Sequence, residues 1–419
     1  MNQHQSLTIG LFGFGVVGEG LYKVLQQTPS LKAVIKLVCI KHADKARNAP
    51  KELFTTDKDL LLNDPDINVI VEVINESDEA FRIVSAALSK GKAVVSASKK
   101  MIAENFPALL SLQSMSGCSL LYEAAAGASI PIIRNLEEYY DNDLLHSMRG
   151  IVNGSTNYIL TKMFEAGMEF HTALSQAQTH GFAETDPRLD IEGTDAMNKW
   201  TFLLTHAYGI IPAAGTLIFA GIEHITVADA RVATEKKCTI RLVAHAQKLK
   251  NGRVAAFILP QWVELNDPLA FVREEYNGVV IESSFADKQF FYGKGAGSFP
   301  TASAVLSDLS ALRYGYRYEY KKLYHHGPHL LSDDYYLKAY IGFDDWSQIP
   351  KDSFEWTEEW HSNEGRHYII AVMHCRELTS SLWWKTKGVS FILSYDPVID
   401  DMDIRRLKQR SLELAGVRL

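Results

Sequence analysis

A glycine-rich turn near the start of the chain is the feature that most constrains its fold. Residues 7–20 read LTIGLFGFGVVGEG, a short apolar run followed by three glycines spaced as G-x-G-x-x-G. Glycine at these places allows a tight turn, close backbone approach to a pyrophosphate, and close packing of the next helix on the sheet. Because the pattern alone is weak, a merely glycine-rich turn is the alternative. The turn predicts cofactor contacts from Gly13, Phe14, Gly15, Val16, Val17 and Gly18.

Strands and helices alternate after this turn. IKLVCI, INVIVEVI and KAVVSAS are strand-like, and helical stretches such as EAFRIVSAALSKG lie between them. Such alternation implies a parallel sheet with right-handed crossovers. It therefore strengthens the interpretation of the glycine turn as a dinucleotide site.

The character of the chain changes after SLLYEAAAG. Helical segments become longer and alternate with strand-like pieces such as HSMRGIV, and HHGPHLLSDD has the composition of a linker. A chain of 419 residues is long enough for two or three domains. We predict an α/β protein with a Rossmann-type domain at 1–128 and a return segment at about 290–320, an α+β substrate domain at 129–289, and a small C-terminal domain of alternating strands and helices at 333–419.

Charge and composition bound the partners. The net charge of −7 argues against a nucleic-acid or acidic-membrane surface, so a small molecule is the expected partner. The apolar runs are shorter than a membrane span, and MNQHQS lacks the basic start of a secretory signal, which predicts a cytoplasmic protein. The four cysteines are far apart and do not have the paired spacing of a zinc site, redox couple or disulfide: Cys39, Cys118, Cys238 and Cys375.

The end of the second predicted strand bears on the choice of cofactor. An NAD site places an acid there for the ribose hydroxyls, but this chain reads CIKHADKAR, with Lys41 and His42 at that place. Cations suit a 2′-phosphate, so we predict NADP(H), bound in part by Lys41, with NAD(H) as the alternative. A solvated basic turn would have the same sequence.

The segment from Gly181 to Lys199 is crowded with carboxylates. It reads GFAETDPRLDIEGTDAMNK, and repulsion among its acids disfavours a compact loop unless cations such as a substrate ammonium lie among them. Asp195 and Lys199 are four residues apart and share one face of a predicted helix. The structural alternative is a solvated loop with a surface ion pair. The apolar run TFLLTHAYG that follows predicts that this helix is buried from its second turn, which would lower the lysine pKa.

Several motifs in order show that the chain resembles homoserine dehydrogenase from about Leu7 to Tyr316. They are GFGFGVVGEG, VVSASKK, YEAAAGASIPIIR, GIVNGSTNYIL, GFAETDPRLDIEGTDAMNK and YGKGAGSFPTASAV. The resemblance implies reduction of L-aspartate 4-semialdehyde to L-homoserine with NAD(P)H, in threonine and methionine biosynthesis. It also implies a homodimer or homotetramer, with dimerisation through the 129–289 domain.

The resemblance also implies roles for individual residues. Lys99 would be catalytic or would orient the substrate, Ser98 stands where the family has asparagine, and Lys199 with Asp195 would lie at the reacting carbonyl. Glu184 and Asp190 would bind the substrate amino group. The residues matched near the substrate carboxylate, for which capping of the following helix is the structural alternative, are Asn153, Gly154 and Ser155.

Two further features follow from the resemblance. Glu123, Ala126 and Ala128 match a turn that binds a monovalent cation such as Na⁺, and Gly295 matches the return of the chain to the cofactor. Many relatives end in an ACT domain that senses threonine. The tail here starts with YYLKAYIGF but lacks the P-G-V-L that normally follows, so it predicts an ACT-like but divergent domain.

Two alternatives remain from the sequence. One is a dehydrogenase of the same architecture that acts on another small amino or hydroxy acid, and the other is a non-catalytic nucleotide sensor. A sensor has no need of Lys99, Glu184, Asp190, Asp195 and Lys199 together. Aspartate-semialdehyde dehydrogenase is disfavoured because no cysteine lies in an activating motif.

Overall fold

The computed structural model of the chain describes residues 6–142, 144–325, 327–363, 365–401 and 403–404. The described residues divide into two compact units. Unit 1 takes in the described residues within 1–143, 198–211 and 291–327, and unit 2 takes in those within 144–197, 212–290 and 328–419. The chain returns to unit 1 twice, at 198–211 and at 291–327, and the predicted domain bounds stay a prediction. Residues 405–419 of the predicted C-terminal domain lie outside the described residues.

Unit 1 contains a six-stranded sheet in the order β3-β2-β1-β4-β5-β6. All of its pairings are parallel, as the alternating pattern predicts. Because β1 and β4 are adjacent, the strand order reverses there, and ligands of open α/β sheets bind at the carboxyl ends of strands at such a point. The strands are β1 (Leu7–Phe12), β2 (Ala33–Cys39), β3 (Phe54–Thr55), β4 (Val69–Glu72), β5 (Ala93–Ser96) and β6 (Leu120–Leu121).

Helices connect these strands, and their buried faces carry alanine, leucine, isoleucine and valine at helical spacing. The segment PIIRNLEEYYD, predicted as helix, contains a π-helical turn at Asn135–Tyr139. The α-helices of unit 1 are α1 (Val16–Gln27), α2 (Asp59–Leu62), α3 (Ser77–Ser89), α4 (Lys99–Ser116), α5 (Glu123–Gly127), α11 (Ser298–Leu312) and α12 (Lys321–Tyr324).

Unit 2 is built on a mixed sheet in the order β12-β11-β7-β9-β10-β16-β13-β15-β14, with β8 beside β10. The pairs β7–β9, β9–β10 and β7–β11 are antiparallel, and β16 joins β10 in parallel through Gln261 and Leu393. The strands are β7 (Leu145–Ile151), β8 (Ile218–Phe219), β9 (Cys238–Lys248), β10 (Val254–Glu264), β11 (Tyr276–Ser283), β12 (Asp287–Lys294), β13 (Tyr336–Phe343), β14 (Trp356–Asn363), β15 (Arg366–His374) and β16 (Val389–Ile399).

Most helices of unit 2 lie between β7 and β9 in the order of the chain. The long helix α9 begins among unit 2 residues and continues into the 198–211 segment of unit 1. The helices are α6 (Gly154–Ala166), α7 (Phe170–Thr179), α8 (Arg188–Ile191), α9 (Thr194–Tyr208), α10 (Val227–Glu235) and α13 (Glu377–Ser380). Short 3₁₀ turns lie at Pro29–Leu31, Lys51–Leu53, Pro268–Phe271, Trp346–Gln348, Lys351–Ser353 and Trp383–Lys385.

The C-terminal segment departs from the predicted alternation of strands and helices. Among its described residues the strands are joined by 3₁₀ turns and by α13, which is four residues long. Phe257 and Leu259 of β10 share one apolar core with Leu337 of β13 and Leu393 of β16. The strands therefore extend the unit 2 sheet, and an ACT-like arrangement is not confirmed.

Two expectations about the whole chain can be compared with the described residues. The four cysteines are free thiols. None of the described helices combines the length and the hydropathy that a membrane crossing requires.

Candidate functional site

The glycine turn joins β1 to α1 as predicted. Gly13 has φ +98, and a Cβ there would lie 2.9 Å from the carbonyl oxygen of Val73. A Cβ on Gly18 would lie 2.2 Å from the carbonyl oxygen of Gly13, so the helix can approach the turn only without a side chain. Gly15, by contrast, has open space around its Cβ position and directly precedes the first residue of α1. The turn is closed on its inner side and open where a phosphate would approach.

Lys41 follows β2 and is exposed. Its Nζ lies 2.7 Å from Oε1 of Glu76, and this hydrogen bond raises the pKa of Lys41. Beyond it, the guanidinium of Arg47 donates to the carbonyl oxygens of Lys45 and His42 and stacks over Phe54. Lys45 and Arg47 line a cavity of about 790 Å³ in unit 1, whereas Lys41 is not among its lining residues.

Lys99 is the first residue of α4, and Ser98 is its N-cap. The side chain of Lys99 is exposed and that of Ser98 is half-buried. The amide of Ser98 donates to Oγ of Ser96 at 3.1 Å, and Ser96 Oγ donates to Oε2 of Glu72 at 2.6 Å. The turn that carries Lys99 is thus linked to a buried acid on the neighbouring strand.

Gly295 lies in the bend between β12 and α11. This bend is held in unit 1, where Ser129 donates through both its amide and its hydroxyl to the carbonyl oxygen of Lys294. Close by, Ser298 at the start of α11 donates to the carbonyl oxygen of Val16, and a Cβ on Gly20 would lie 2.5 Å from Ser298 Oγ. The return segment therefore packs directly on α1, the helix that follows the glycine turn.

Asn153 connects the polar residues of unit 2. Its Oδ1 accepts from the amide of Thr156 at 2.9 Å, so it caps α6. Its Nδ2 donates to Oδ1 of Asp190 at 2.7 Å and to Oδ2 of Asp195 at 2.9 Å. Ser155 Oγ lies 2.9 Å from the other oxygen of Asp190. The structural capping role is present, and the same side chain also brings the two predicted site acids together.

The carboxylates of the acidic segment do not all lie in this cluster. Asp186 pairs with Arg188 at the surface, with 2.8 Å between Oδ1 and Nε, and the Arg188 guanidinium lowers the pKa of Asp186 to about 2. Glu184 is exposed, and its backbone carbonyl accepts from Gln178. Part of the segment is therefore the solvated turn of the structural alternative, whereas Asp190 and Asp195 meet at Asn153.

The Asp195 and Lys199 side chains on α9 are 4% and 5% exposed. Neither lies on a solvated helix face, which argues against a simple surface ion pair. Trp200 and Phe202 behind them are completely buried, as the apolar run predicts. Gly193 and Gly221 let the backbone before α9 pack closely, because a Cβ on Gly221 would lie 1.7 Å from the carbonyl oxygen of Ile191.

The predicted cation turn forms α5, and its acid is already engaged. Glu123 is buried, and its carboxylate accepts from the amides of Ile133 at 2.7 Å and Arg134 at 3.1 Å. Its own amide donates to Asp308, another buried acid, and burial raises the pKa of both carboxyls. The described residues contain no cluster of three or more metal-binding side chains.

Glu72, at the end of β4 in unit 1, is a buried acid for which the sequence predicted no role. The available signal was a single acid at the end of the apolar run INVIVEVI, in a parallel strand that is buried on both faces. All four residues of β4 are buried, and Glu72 is 0% exposed.

Comparison with known sequences gives matches over most of the chain. The family model described as "Homoserine dehydrogenase, NAD binding domain" matches residues 13–123, and that described as "Homoserine dehydrogenase" matches residues 131–310. A homoserine dehydrogenase from Bacillus subtilis (strain 168) is 34% identical over 317 residues, which are 74% of this chain and 73% of that relative.

Solved structures give the same result for the fold. A homoserine dehydrogenase from Thiobacillus denitrificans matches with a TM-score of 0.78 and 27% identity, over 93% of this chain and 98% of that chain. A hyperthermophilic archaeal homoserine dehydrogenase in complex with NADPH matches with a TM-score of 0.63 and 25% identity, over 74% of this chain and 99% of that chain. The first match extends into the C-terminal strands.

Proposed function

Because the chain belongs to the homoserine dehydrogenase family and is an NAD(P)-dependent oxidoreductase that interconverts L-aspartate 4-semialdehyde and L-homoserine, we propose that its glycine turn binds the cofactor and that the acids around Asn153 bind the substrate. The observation that carries this assignment is the bridge from Asn153 Nδ2 to Asp190 and Asp195. It brings together residues that the sequence alone could only group by resemblance.

The glycine turn fits a dinucleotide. The space around Gly15 and the free amides at the start of α1 suit a pyrophosphate, while Gly13 and Gly18 keep the turn tight. Lys41 would bind the 2′-phosphate of NADP(H) after exchanging its partner Glu76. The NADPH complex of the archaeal relative supports a nicotinamide cofactor, and the preference for NADP(H) over NAD(H) is part of this proposal.

The substrate half of the site supplies negative charge for an ammonium group. Asp190 and Asp195 keep their orientation through Asn153, and the hydroxyl of Ser155 holds the second oxygen of Asp190. Glu184, which is exposed, would complete the set when substrate is present. The donors to Asp190 from Asn153 and Ser155 are neutral, so they leave its negative charge for an ammonium group.

The bound cofactor supplies the hydride for reduction of the aldehyde. As the carbonyl becomes an alkoxide, its oxygen needs a cation or a proton donor, and Lys199 and Lys99 are the residues proposed for that task. Lys199 lies on α9 and is buried. Water therefore competes little with the substrate oxygen for the ammonium group of Lys199. Lys99 is exposed at the start of α4 and would contact the substrate or the nicotinamide end of the cofactor.

The test is NADPH oxidation with L-aspartate 4-semialdehyde, measured for the wild type and for Lys199→Ala and Lys99→Ala. Each variant should bind NADPH but lose on the order of a hundredfold or more in kcat, the scale of general acid catalysis. Lys100→Ala is the matched control, because Lys100 is adjacent to Lys99, is exposed and pairs with Glu104. Wild-type turnover in Lys199→Ala would remove that lysine from the mechanism.

Other finer predictions belong to the same proposal. A monovalent cation such as Na⁺ would have to be bound by backbone carbonyls of Glu123, Ala126 and Ala128, since the Glu123 carboxylate is occupied by two amides. The homodimer or homotetramer, the cytoplasmic location and the divergent ACT-like C-terminal domain stay predictions.

A further inference from the structure

Glu72 is a buried acid that the proposed mechanism does not use. It ends β4 at the carboxyl edge of the parallel sheet and is 0% exposed. Its neighbours in the sheet are Phe12, which precedes the glycine turn, and Ser96, which precedes the Lys99 turn. A carboxylate is seldom placed in such surroundings unless its contacts matter, because burial without partners costs several kcal/mol.

Both oxygens of Glu72 accept hydrogen bonds. Oε1 accepts from the amide of Ile74 at 2.7 Å, and Oε2 accepts from the hydroxyl of Ser96 at 2.6 Å. The first contact fixes the turn after β4, and the second reaches across to the end of β5. One side chain therefore holds two adjacent turns at the edge where the cofactor of such a fold binds.

The contact with Ser96 continues to the start of α4. Ser96 Oγ accepts from the amide of Ser98 at 3.1 Å, and the carbonyl oxygen of Glu72 accepts from the amide of Ala97 at 3.1 Å. Ser98 is the N-cap of α4 and Lys99 is the next residue. The amide of Ala97 is thus bonded to the backbone of Glu72, and the amide of Ser98 is linked to the Glu72 carboxylate through Ser96.

We propose that Glu72 is a positioning residue for Lys99, which fixes the turn before α4 while it is ionised and releases part of that hold when it is protonated. When Oε2 of Glu72 carries a proton it donates to Ser96 Oγ, so the hydrogen bond between them reverses. Ser96 Oγ then accepts from Glu72 as well as from the amide of Ser98, and the Ser96 hydrogen loses its carboxylate acceptor. This inference rests on the proposed role of Lys99.

Glu72 changes its protonation state near neutral pH. Burial raises the pKa of Glu72, and the hydrogen bonds from Ser96 and Ile74 act in the opposite direction. The net result is a pKa of about 7 for Glu72. The sheet neighbours on β1 and β5 are uncharged, and the charged residues that follow the two turns, Glu76 and Lys99, are not among the causes of the shift. Among the described residues, Glu72 therefore titrates through its own burial and these two donors.

The experiment measures kcat/KM for L-aspartate 4-semialdehyde across the neutral pH range with saturating NADPH. The wild type should gain roughly tenfold as pH rises through about 7, the scale expected from a small misplacement of a catalytic group. Glu72→Gln should stay at the low wild-type value at every pH, without this step. Ser96→Ala should also lack the step and stay at the low value, because the hydroxyl that links Glu72 to the amide of Ser98 is gone.

Glu104→Gln is the matched control, since Glu104 is an exposed acid on α4. It should keep the wild-type pH profile. Thermal unfolding and NADPH affinity, measured for each variant, show whether it is folded. A Glu72→Gln variant that is less stable but keeps the wild-type step would overturn the inference, because a purely structural role predicts that result.

Lys99→Ala separates this inference from the proposed function. If Lys99→Ala has wild-type turnover, the proposed role of Lys99 fails and this inference fails with it. If Lys99→Ala loses turnover while Glu72→Gln retains the pH step, the role of Lys99 stands and only the positioning role of Glu72 is refuted.

Discussion

Asp229 provides the sharpest test of what attaches the C-terminal strands to the rest of unit 2. It lies on α10, is completely buried, and accepts from Tyr340 of β13 at 2.8 Å, Ser390 of β16 at 2.7 Å and Arg366 of β15 at 3.0 Å. It also closes the capping box of α10 with Thr226. The change to test is Asp229→Asn, which keeps the size of the side chain and removes its charge.

The expected loss follows from these contacts. Removing one partner of a buried ion pair costs about 3–5 kcal/mol when the remaining charge is left uncompensated. Arg366 keeps the exposed Asp344 as a partner, so the loss is expected at the lower end of this range. Burial disfavours the charged form of Arg366, but Asp229 and Asp344 outweigh it and raise its pKa. The new amide would also place its NH₂ against donors. A loss of this size is a large part of the roughly 5–15 kcal/mol that stabilises most native proteins.

Asp344→Asn is the matched control. Asp344 pairs with the same guanidinium at 2.8 Å, but its side chain is 58% exposed. An exposed pair contributes about 0–1 kcal/mol, so this variant should be close to the wild type. Both substitutions remove one negative charge from the same arginine, so the comparison separates the contribution of the buried Asp229 and its further donors from that of an exposed ion pair.

The assay is denaturant unfolding followed by tryptophan fluorescence. Five of the seven tryptophans lie in the C-terminal segment and report on it: Trp346, Trp356, Trp360, Trp383 and Trp384. Asp229→Asn should lower the free energy of unfolding of this segment by several times more than Asp344→Asn. Equal losses in the two variants, or a loss below about 1 kcal/mol in Asp229→Asn, would refute the reasoning.

Three further outcomes are expected. Lys41→Ala should raise KM for NADPH roughly tenfold and leave KM for NADH unchanged, the loss of one charged contact; an equal rise for both cofactors would contradict a 2′-phosphate role. Asn153→Ala should raise KM for L-homoserine more than Ser155→Ala does, since Ser155→Ala keeps the helix cap, worth about 1 kcal/mol, and the bridge between the two acids. Because burial raises the folded-state pKa of Glu72 to about 7 from an ordinary 4.5, the folded protein binds more protons than the unfolded chain between these values, and stability falls as pH rises through that window. Glu72→Gln should remove this fall, which amounts to about 3 kcal/mol; unfolding curves with the same pH dependence as the wild type would contradict it.

Much of unit 1 could be predicted because local patterns determine it. The run before Gly13 has strand character, the glycines permit one kind of turn, and α1 follows with its apolar residues at helical spacing. The parallel pairing of β1 with β4 follows from the alternation of strands and helices. The order of motifs likewise identifies the family without any structure.

The C-terminal segment shows where local patterns are insufficient. Its strands are visible in the sequence, but their pairing into the unit 2 sheet depends on contacts such as Gln261 with Leu393, which are distant in the chain. Asp229 and Arg366 form an ion pair that stabilises this arrangement. They lie on different elements, and no sequence pattern indicates that they meet. Periodicity therefore predicts that these segments are strands, but it does not predict which strands they pair with.

The sequence by itself determined that this chain has a glycine turn for a dinucleotide and an acidic segment leading into a helix with Asp195 and Lys199. Only the tertiary structure decided the environment of each acid. Asp186 pairs with Arg188 at the surface, whereas Asp190 and Asp195 both contact Asn153. Glu72 is buried and bonded to Ser96, which precedes the Lys99 turn. The physical reason is that burial and hydrogen-bond partners set the state of a carboxylate, and both come from residues far away in the chain.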